Sequence, residues 1–203
     1  MGIVKNLFSI FQDRRELLDL TSFGDELAFK TSWKPLVGGG TNFCTHRLQK
    51  STSTFAGDLL SFKTTIAAML FSAFVIVLGI CFFAAWAGDP WAILALLFSG
   101  FGIWQFWNMQ REQSVFDRSS RRLTKRGKTY NLHQVSAIQL IREHCSGNDS
   151  SYYSYELNLI CSDGERINIV DHGSLHAIRK DAEVLADYLS IPVWDAIDFR
   201  IPE

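Results

Sequence analysis

The chain has 203 residues, 20% of them charged, with a formal net charge of −1 and a mean hydropathy of +0.05. These are ordinary globular values, and a balance this close to neutral argues against nucleic-acid binding. No internal repeat or low-complexity segment is present, so the informative features are local.

Met1 to Leu20 carries Ile3, Leu7, Phe8, Ile10 and Phe11 near helical spacing. This predicts an amphipathic helix, either lying on a membrane surface or packed on a soluble domain. The run is short and has no small-residue cleavage site, so a cleavable signal peptide is not expected. Asn6 stands where myristoylation would need Ser or Thr. The stretch "WKPLVGGGTNFCTHRLQKS" follows. Its triplet Gly38-Gly39-Gly40 lacks the Lys-Ser/Thr of a phosphate-binding loop and reads as a flexible turn rather than an anion cradle. "NFCTHRL" and "DLLSFKTT" read as extended segments on either side of Ser51 to Gly57. Asn42 to Thr65 is therefore expected to form a β-hairpin that packs with the C-terminal part, sparing that part an exposed strand edge.

Thr64 to Trp86 contains no Asp, Glu, Lys or Arg, and neither does Trp91 to Met109. At 1.5 Å per residue, about 23 and about 19 residues suffice to cross a hydrocarbon core of roughly 30 Å. Two transmembrane helices are expected, joined by Gly88-Asp89-Pro90. Arg47, Lys50 and Lys63 precede the first, and Arg111, Arg118, Arg121, Arg122, Lys125, Arg126 and Lys128 follow the second. The turn carries only Asp89, so both termini are expected on the cytoplasmic side. Trp86 and Trp91 would lie at the outer interface, and Trp104 and Trp107 at the inner one. Gly79, Ala84, Ala85, Ala92, Ala95, Ser99, Gly100 and Gly102 offer small-residue contacts between the helices, while Phe71, Phe74, Phe82 and Phe98 pack or face lipid. Gln105 is a strongly polar residue near the inner end of the second span. With no ionisable residue in either span, a channel or transporter is disfavoured.

From Gln113 onward the pattern turns to strands. Turn signals stand at Arg118 to Ser120 and at Arg126-Gly127-Lys128, and "VSAIQLIREH" is rich in β-formers. "YYSYELNLICSDGERINIV" alternates as a hairpin. A three-residue loop, Ser162 to Gly164 with Gly164 left-handed, opposes Leu159 to Ile167, Leu157 to Ile169, Ile160 to Arg166 and Asn158 to Asn168. That register keeps apolar and polar side chains on separate faces. Leu175, Ile178, Ala182, Leu185 and Leu189 then form one helical stripe, with Ser174 as N-cap and Pro192 beyond its end. Antiparallel strands plugged by one amphipathic helix predict a pleckstrin-homology-like (PH-like) architecture. The expected fold class is membrane α+β: an N-terminal cytoplasmic segment (residues 1–63), a transmembrane helical hairpin (64–110) and a cytoplasmic PH-like β domain closed by its C-terminal helix (111–203).

The two-span hairpin, Phe116-Asp117, "VSAIQLIRE" and "DAEVLADYLSIP" together resemble the photosystem I assembly factor family of chloroplasts and cyanobacteria. The resemblance covers the layout from Thr64 to Val193, and the segment Trp33 to Lys63 has no counterpart in it. It implies a non-enzymatic, membrane-anchored platform with a PH-like domain, without implying a photosynthetic role.

Candidate chemistry is sparse. Asp171, His172 and His176 have spacing that invites a metal ion, but Gly173-Ser174 reads as a helix start between the two histidines. Cys44 and His46 alternate along a strand, as a nucleophile and base would, without a third group to orient them. Cys44, Cys81, Cys145 and Cys161 have no C-x-x-C spacing and read as free thiols. The run Arg118, Arg121, Arg122, Lys125, Arg126 and Lys128 reads as a membrane-surface basic patch, serving as topogenic signal or contact for anionic lipid. No catalytic, metal or cofactor site is expected. The leading expectation is a bacterial inner-membrane protein that binds another protein as assembly factor, scaffold or regulator, as monomer or homo-oligomer. The alternatives are a membrane-embedded immunity protein that neutralises a membrane-targeted toxin, and a metal-dependent enzyme using Asp171, His172 and His176.

Overall fold

The computed structural model describes residues 15–53, 57–146 and 151–201. Most of the expected amphipathic helix falls on residues 1–14, outside the described residues. Beyond them Leu17 bridges to Arg200, and a 3-10 turn follows at Leu20–Phe23. The remaining elements are a short helix α1 (Leu27–Lys30), strands β1 (His46–Ser53) and β2 (Gly57–Thr64), and helices α2 (Ile66–Ala85) and α3 (Ala92–Arg111). Then come β3 (Ser114–Asp117), β4 (Arg122–Lys125), β5 (Lys128–Asn131), β6 (Val135–Ser146), β7 (Ser151–Cys161), β8 (Arg166–His172), helix α4 (Leu175–Leu189) and β9 (Val193–Asp195).

The strands form two sheets, ordered β1-β2-β3-β4-β5 and β8-β7-β6-β9. All pairings are antiparallel except β6 with β9. The segment expected to supply a hairpin does so, and β2 pairs with β3, Leu60 standing opposite Phe116. The five-stranded sheet therefore crosses the boundary expected at residue 111. β3 and β4 are only four residues long, and without β2 the edge of β3 would have no strand beside it. The helical pair α2–α3 is inserted between two hydrogen-bonded neighbours of one sheet.

The core lies between the sheets. Leu60, Phe62, Phe116 and Leu123 of the first sheet meet Ile138, Leu140, Leu157 and Leu159 of the second. Helix α4 packs onto the same cluster through Ile178, Ala182 and Leu185, all fully buried, flanked by the half-buried Leu175 and Leu189. Ser174 occupies the N-cap position, although its hydroxyl makes no capping bond, and Ser190 ends the helix in the left-handed conformation. The β7–β8 register follows the expected pairs Leu159–Ile167, Ile160–Arg166 and Asn158–Asn168, with Gly164 at φ 87° in the turn. It departs at Leu157, which faces Val170, because Ile169 is an extra residue in a bulge. The bulge turns Val170 and His172 toward the core side and Asp171 to the other face.

That other face of the four-stranded sheet is covered too. Over one half Trp33 stacks on Phe23 at 5.2 Å and lies 6.1 Å from Trp194, on a bed of Ala137, Ile141 and Ile160. The other half is polar and is crossed by residues 34–45.

Helices α2 and α3 are each 20 residues long and apolar enough to cross a membrane, and only 22% of each span window is buried. Their shared seam is Ala68, Ser72, Val75 and Gly79 against Ala92, Ser99, Gly102 and Met109. At Gly79 the partner helix comes so close that a Cβ would lie 2.9 Å from the Ala95 carbonyl oxygen, which requires glycine. The Ser99 hydroxyl donates to the Ile76 carbonyl across the seam at 3.3 Å. The expected contacts Ala84, Ala85 and Gly100 are exposed instead, because they lie off this three-and-four-residue stripe.

Candidate functional site: a cleft at the base of the helical hairpin

Where the two sheets meet the end of α3 there is a cleft of about 630 Å³. Its walls are β8, the β4–β5 turn and the segment before β1, and Met109 closes one end. β8 and β5 are the free edges of their sheets, so the cleft is the gap that remains where the two sheets do not join.

Lys125 spans this gap. Strand β4 alternates exposed, buried, exposed, buried from Arg122, so Lys125 points inward beside Leu123 and is only 8% exposed. Its Nζ donates to the Asn168 carbonyl at 2.7 Å, the Ile169 carbonyl at 2.9 Å and the Asn168 side-chain oxygen at 3.2 Å. These acceptors sit at the bulge on an unpaired edge, so the ammonium replaces the strand that is not there. Burial pushes its pKa down to about 8, with Glu156 opposing the shift, and at neutral pH it remains mostly charged.

The roof is tied to the helical hairpin. His46 Nε2 donates to the Met109 carbonyl at 3.0 Å, and the Thr45 hydroxyl lies 3.0 Å from Nδ1. The carbonyl can only accept, so this ring carries its proton on Nε2. Thr64 adds a longer bond to the same oxygen, which also accepts from the Glu112 amide at the helix C-cap at 3.3 Å. Burial, with the charge of Lys125, depresses the pKa of His46 and favours the neutral ring. At the other helix end Thr65 caps α2, accepting from the Ala68 amide at 3.2 Å and donating to the Cys44 carbonyl at 2.9 Å. Both helices are thus keyed to the sheet by side chains of β1, β2 and their ends.

One wall is a strap, residues 34–45. Leu36 N–H donates to both Glu156 carboxylate oxygens at 3.0 Å and Val37 N–H to one at 3.2 Å. Gly39 N–H donates to the Glu143 carboxylate at 3.1 Å, and Tyr152 OH to the Gly40 carbonyl at 2.7 Å. A Cβ on Gly40 would collide with the Asp171 carboxylate and the Ser154 hydroxyl. Within the glycine triplet the Gly39 amide thus receives one anion, the protein's own Glu143 carboxylate. Asn158 Nδ2 donates to Glu156 at 2.6 Å, and Arg166 bonds the Lys34 carbonyl at 2.7 Å and Gln139 Oε1 at 3.3 Å. Asp171 accepts from the Ser154 hydroxyl, yet its second oxygen is buried without a partner. Burial raises its pKa to about 6 against the Ser154 bond, with the nearby Glu156 and Glu143 adding to the rise.

The residues singled out from the sequence distribute as follows. Asp171 faces the strap, His172 is fully buried on the core side and His176 is exposed on α4, so the three do not converge. Among the described residues no group of three His, Cys, Asp or Glu could hold a metal ion. The Cys44 thiol donates to the His46 backbone carbonyl at 3.4 Å, but the imidazole it meets is that of His172, with Sγ 3.8 Å from Nε2. Ser174 N–H donates to His172 Nδ1 at 3.2 Å, which leaves the proton on Nε2 facing the sulfur. Burial holds His172 down to about 4 and raises the Cys44 thiol pKa, the reverse of what an activated nucleophile needs.

The six cations do not form one patch. Lys125 is internal. The register Ser114–Lys125 and Asp117–Arg122 sets Arg122 about 10 Å further from the helices than Lys125. Arg118 and Arg121 lie at that far end, in a turn where the Asp117 carboxylate accepts from the Ser119 and Ser120 backbone and hydroxyls. These four bonds hold the Asp117 pKa down to about 2. Arg118 lies 5.8 Å over the Tyr188 ring. Only Arg126, paired with Glu112, and Lys128 stand beside the helix ends. Counting charges along the chain merged these groups, whereas the alternation of "RLTK" separates them. Trp86, Trp91, Trp104 and Trp107 are all exposed on the helical hairpin, with Arg111 5.9 Å over Trp107.

Sequence reasoning missed Glu156 and Asp181. Glu156 is 1% exposed, and the buried Asp181 accepts from Arg47 Nε at 2.9 Å and from the Leu48 amide at 3.1 Å, locking α4 to β1. Asp181 falls three residues after Ile178, on the apolar stripe, and that misplaced charge was the available signal. No protein-family model matches this chain, and no curated protein sequence matches it significantly.

Proposed function

We propose that α2 and α3 cross a bacterial inner membrane and hold the two-sheet unit, a PH-like domain, on the cytoplasmic side. There it acts without catalysis, as a platform that binds another protein in assembling, scaffolding or regulating a membrane complex. The observation that carries this reading is the surface of the helical hairpin. Phe74 and Leu97 are 61% and 64% exposed, and so are Phe71, Ile93 and Trp104, a dense apolar coat that water would penalise at roughly 25 cal/mol per Å². A two-layer antiparallel core closed by α4 supports the PH-like assignment. Lys63, Arg111, Arg126 and Lys128 at one end of the helices, against Asp89 alone at the other, support the orientation.

The test is topological. With the native cysteines replaced, Asp89→Cys should react with a membrane-impermeant thiol reagent in intact cells, and Ser119→Cys should react only after lysis. The opposite pattern would reverse the orientation, and equal labelling of both would remove the membrane span. Proteins retained with the full chain in mild detergent then identify the partner.

A further inference from the structure

We infer that the domain docks face-down on the anionic leaflet through the two lips of the cleft: the strap carrying Leu36, Val37 and Phe43, and the turn carrying Arg126 and Lys128. The inference rests on the membrane-anchoring reading and extends it to a second, separate lipid contact.

Three large apolar side chains stand out on the strap, with Leu36 44%, Val37 45% and Phe43 43% exposed. Their outward setting is built in. The strap spends its backbone on the sheet below, through the amides of Leu36 and Val37 to Glu156, the amide of Gly39 to Glu143, and the carbonyl of Gly40 to Tyr152. Above that anchored backbone the side chains of Leu36, Val37 and Phe43 are left exposed. What lies on that side is indicated by Phe43, whose ring is 6.5 Å from the ring of Phe71 on α2. Phe71 is five residues into the helix, about 7–8 Å beyond its start. If α2 is in lipid, Phe43 shares the depth of its first turns.

The second lip complements the first. Val37, Met109, Arg126 and Lys128 line the same cleft. Arg126 pairs with Glu112, the residue after α3, which places this turn at the level of the helix end. An apolar lip and a cationic lip at one height fit a leaflet that offers acyl chains below a layer of phosphates. Arg118, Arg121 and Arg122, at the far end of the same sheet, take no part.

The experiment places photo-reactive benzoylphenylalanine singly at Val37, Phe43, Leu97 and Ser119 in the full chain. Each protein is reconstituted in phosphatidylcholine vesicles with and without phosphatidylglycerol, irradiated, and its adducts are read by mass spectrometry. Lipid adducts at Val37, Phe43 and Leu97 but not at Ser119 are expected, with the Val37 yield falling when phosphatidylglycerol is omitted and the Leu97 yield unchanged. Adducts at Leu97 alone, or adducts from Val37 and Phe43 to a second copy of the chain, would overturn the docking surface and leave the anchor intact. A Val37 yield indifferent to phosphatidylglycerol would remove the cationic lip. No lipid adduct at Leu97 would overturn the anchoring reading itself.

Discussion

On its inner face the four-stranded sheet meets α4 with Ile138, Leu140, Leu157 and Leu159, whereas on its outer face it meets the strap with Gln139, Glu143, Glu156 and Asn158. Gln139, Glu156 and Asn158 are as completely buried as the four apolar residues. The inner face is held by non-directional burial, which tolerates a change of shape at the cost of a cavity. The strap half of the outer face is held by directed bonds from backbone amides to carboxylates, which are sensitive to a change of acceptor. One sheet therefore carries two kinds of adhesion, and they should fail differently.

The largest effect is expected on the inner face. Leu185→Ala should cost about 2–5 kcal/mol, measured by denaturant unfolding of the full chain in detergent. The fragment beginning at Gln113 is not a fair substrate, since it lacks β1 and β2. A loss below about 1 kcal/mol would mean that α4 can leave the sheet with little penalty, and the comparison would collapse on its apolar side.

Glu156→Gln is nearly isosteric but turns one acceptor into a donor facing the Leu36 and Val37 amides. It should cost about 1–3 kcal/mol and speed hydrogen exchange at those two amides, leaving the α4 amides unaffected. Equal acceleration in the strap and in α4 would show that the two faces unfold as one unit.

Asp171→Asn should act in the opposite direction. The carboxyl pKa is raised from 3.8 to about 6 in the folded chain, so the folded state disfavours the ionised form. The resulting penalty is absent below about pH 4, grows as pH rises through the window to about 6, and is complete above it. The amide removes it. Allowing for partial solvent screening, the variant should gain about 1–2 kcal/mol at pH 7 and nothing at pH 4. A variant less stable at both pH values would mean that the ionised carboxylate has a partner within the strap.

The smallest effect belongs to Glu183→Ala, on the exposed side of α4, at about 0.5 kcal/mol or less in the same unfolding series. A larger change would mean that α4 is covered on both sides.

The two faces also differed in how far the sequence disclosed them. The inner face follows from counting: Ile178, Ala182 and Leu185 recur at helical spacing, and Leu157 and Leu159 alternate with Asn158 and Ile160. The β7–β8 register followed from the same logic up to Ile169, the extra residue, whose carbonyl is bonded by Lys125 of the other sheet. The strap half of the outer face has no periodic signature. Glu143 and Glu156 look like ordinary exterior strand residues until residues 34–45 are laid across them, and that contact joins positions more than a hundred residues apart. Lys125 was legible in principle, because "RLTK" alternates, but a dense run of charges invites reading by proximity rather than by parity. The helices were legible in length and not in rotation, since neither span has a polar face to mark its inward side.

The insertion of α2 and α3 between β2 and β3 also governs the order in which the chain can assemble during synthesis. At roughly 5–20 residues per second, the about 50 residues separating Thr64 from Ser114 keep β2 without its partner for a few seconds after it leaves the ribosome. Over that interval the β1–β2 hairpin lacks the strand that pairs with its edge and the later residues that bury Leu60 and Phe62 in the finished fold. Both helices must be made and turned back before translation delivers β3, so the sheet cannot close on a chain whose synthesis stops within them. Such a chain would be left with a sticky edge and no way to finish, a form suited to early recognition by quality-control proteases.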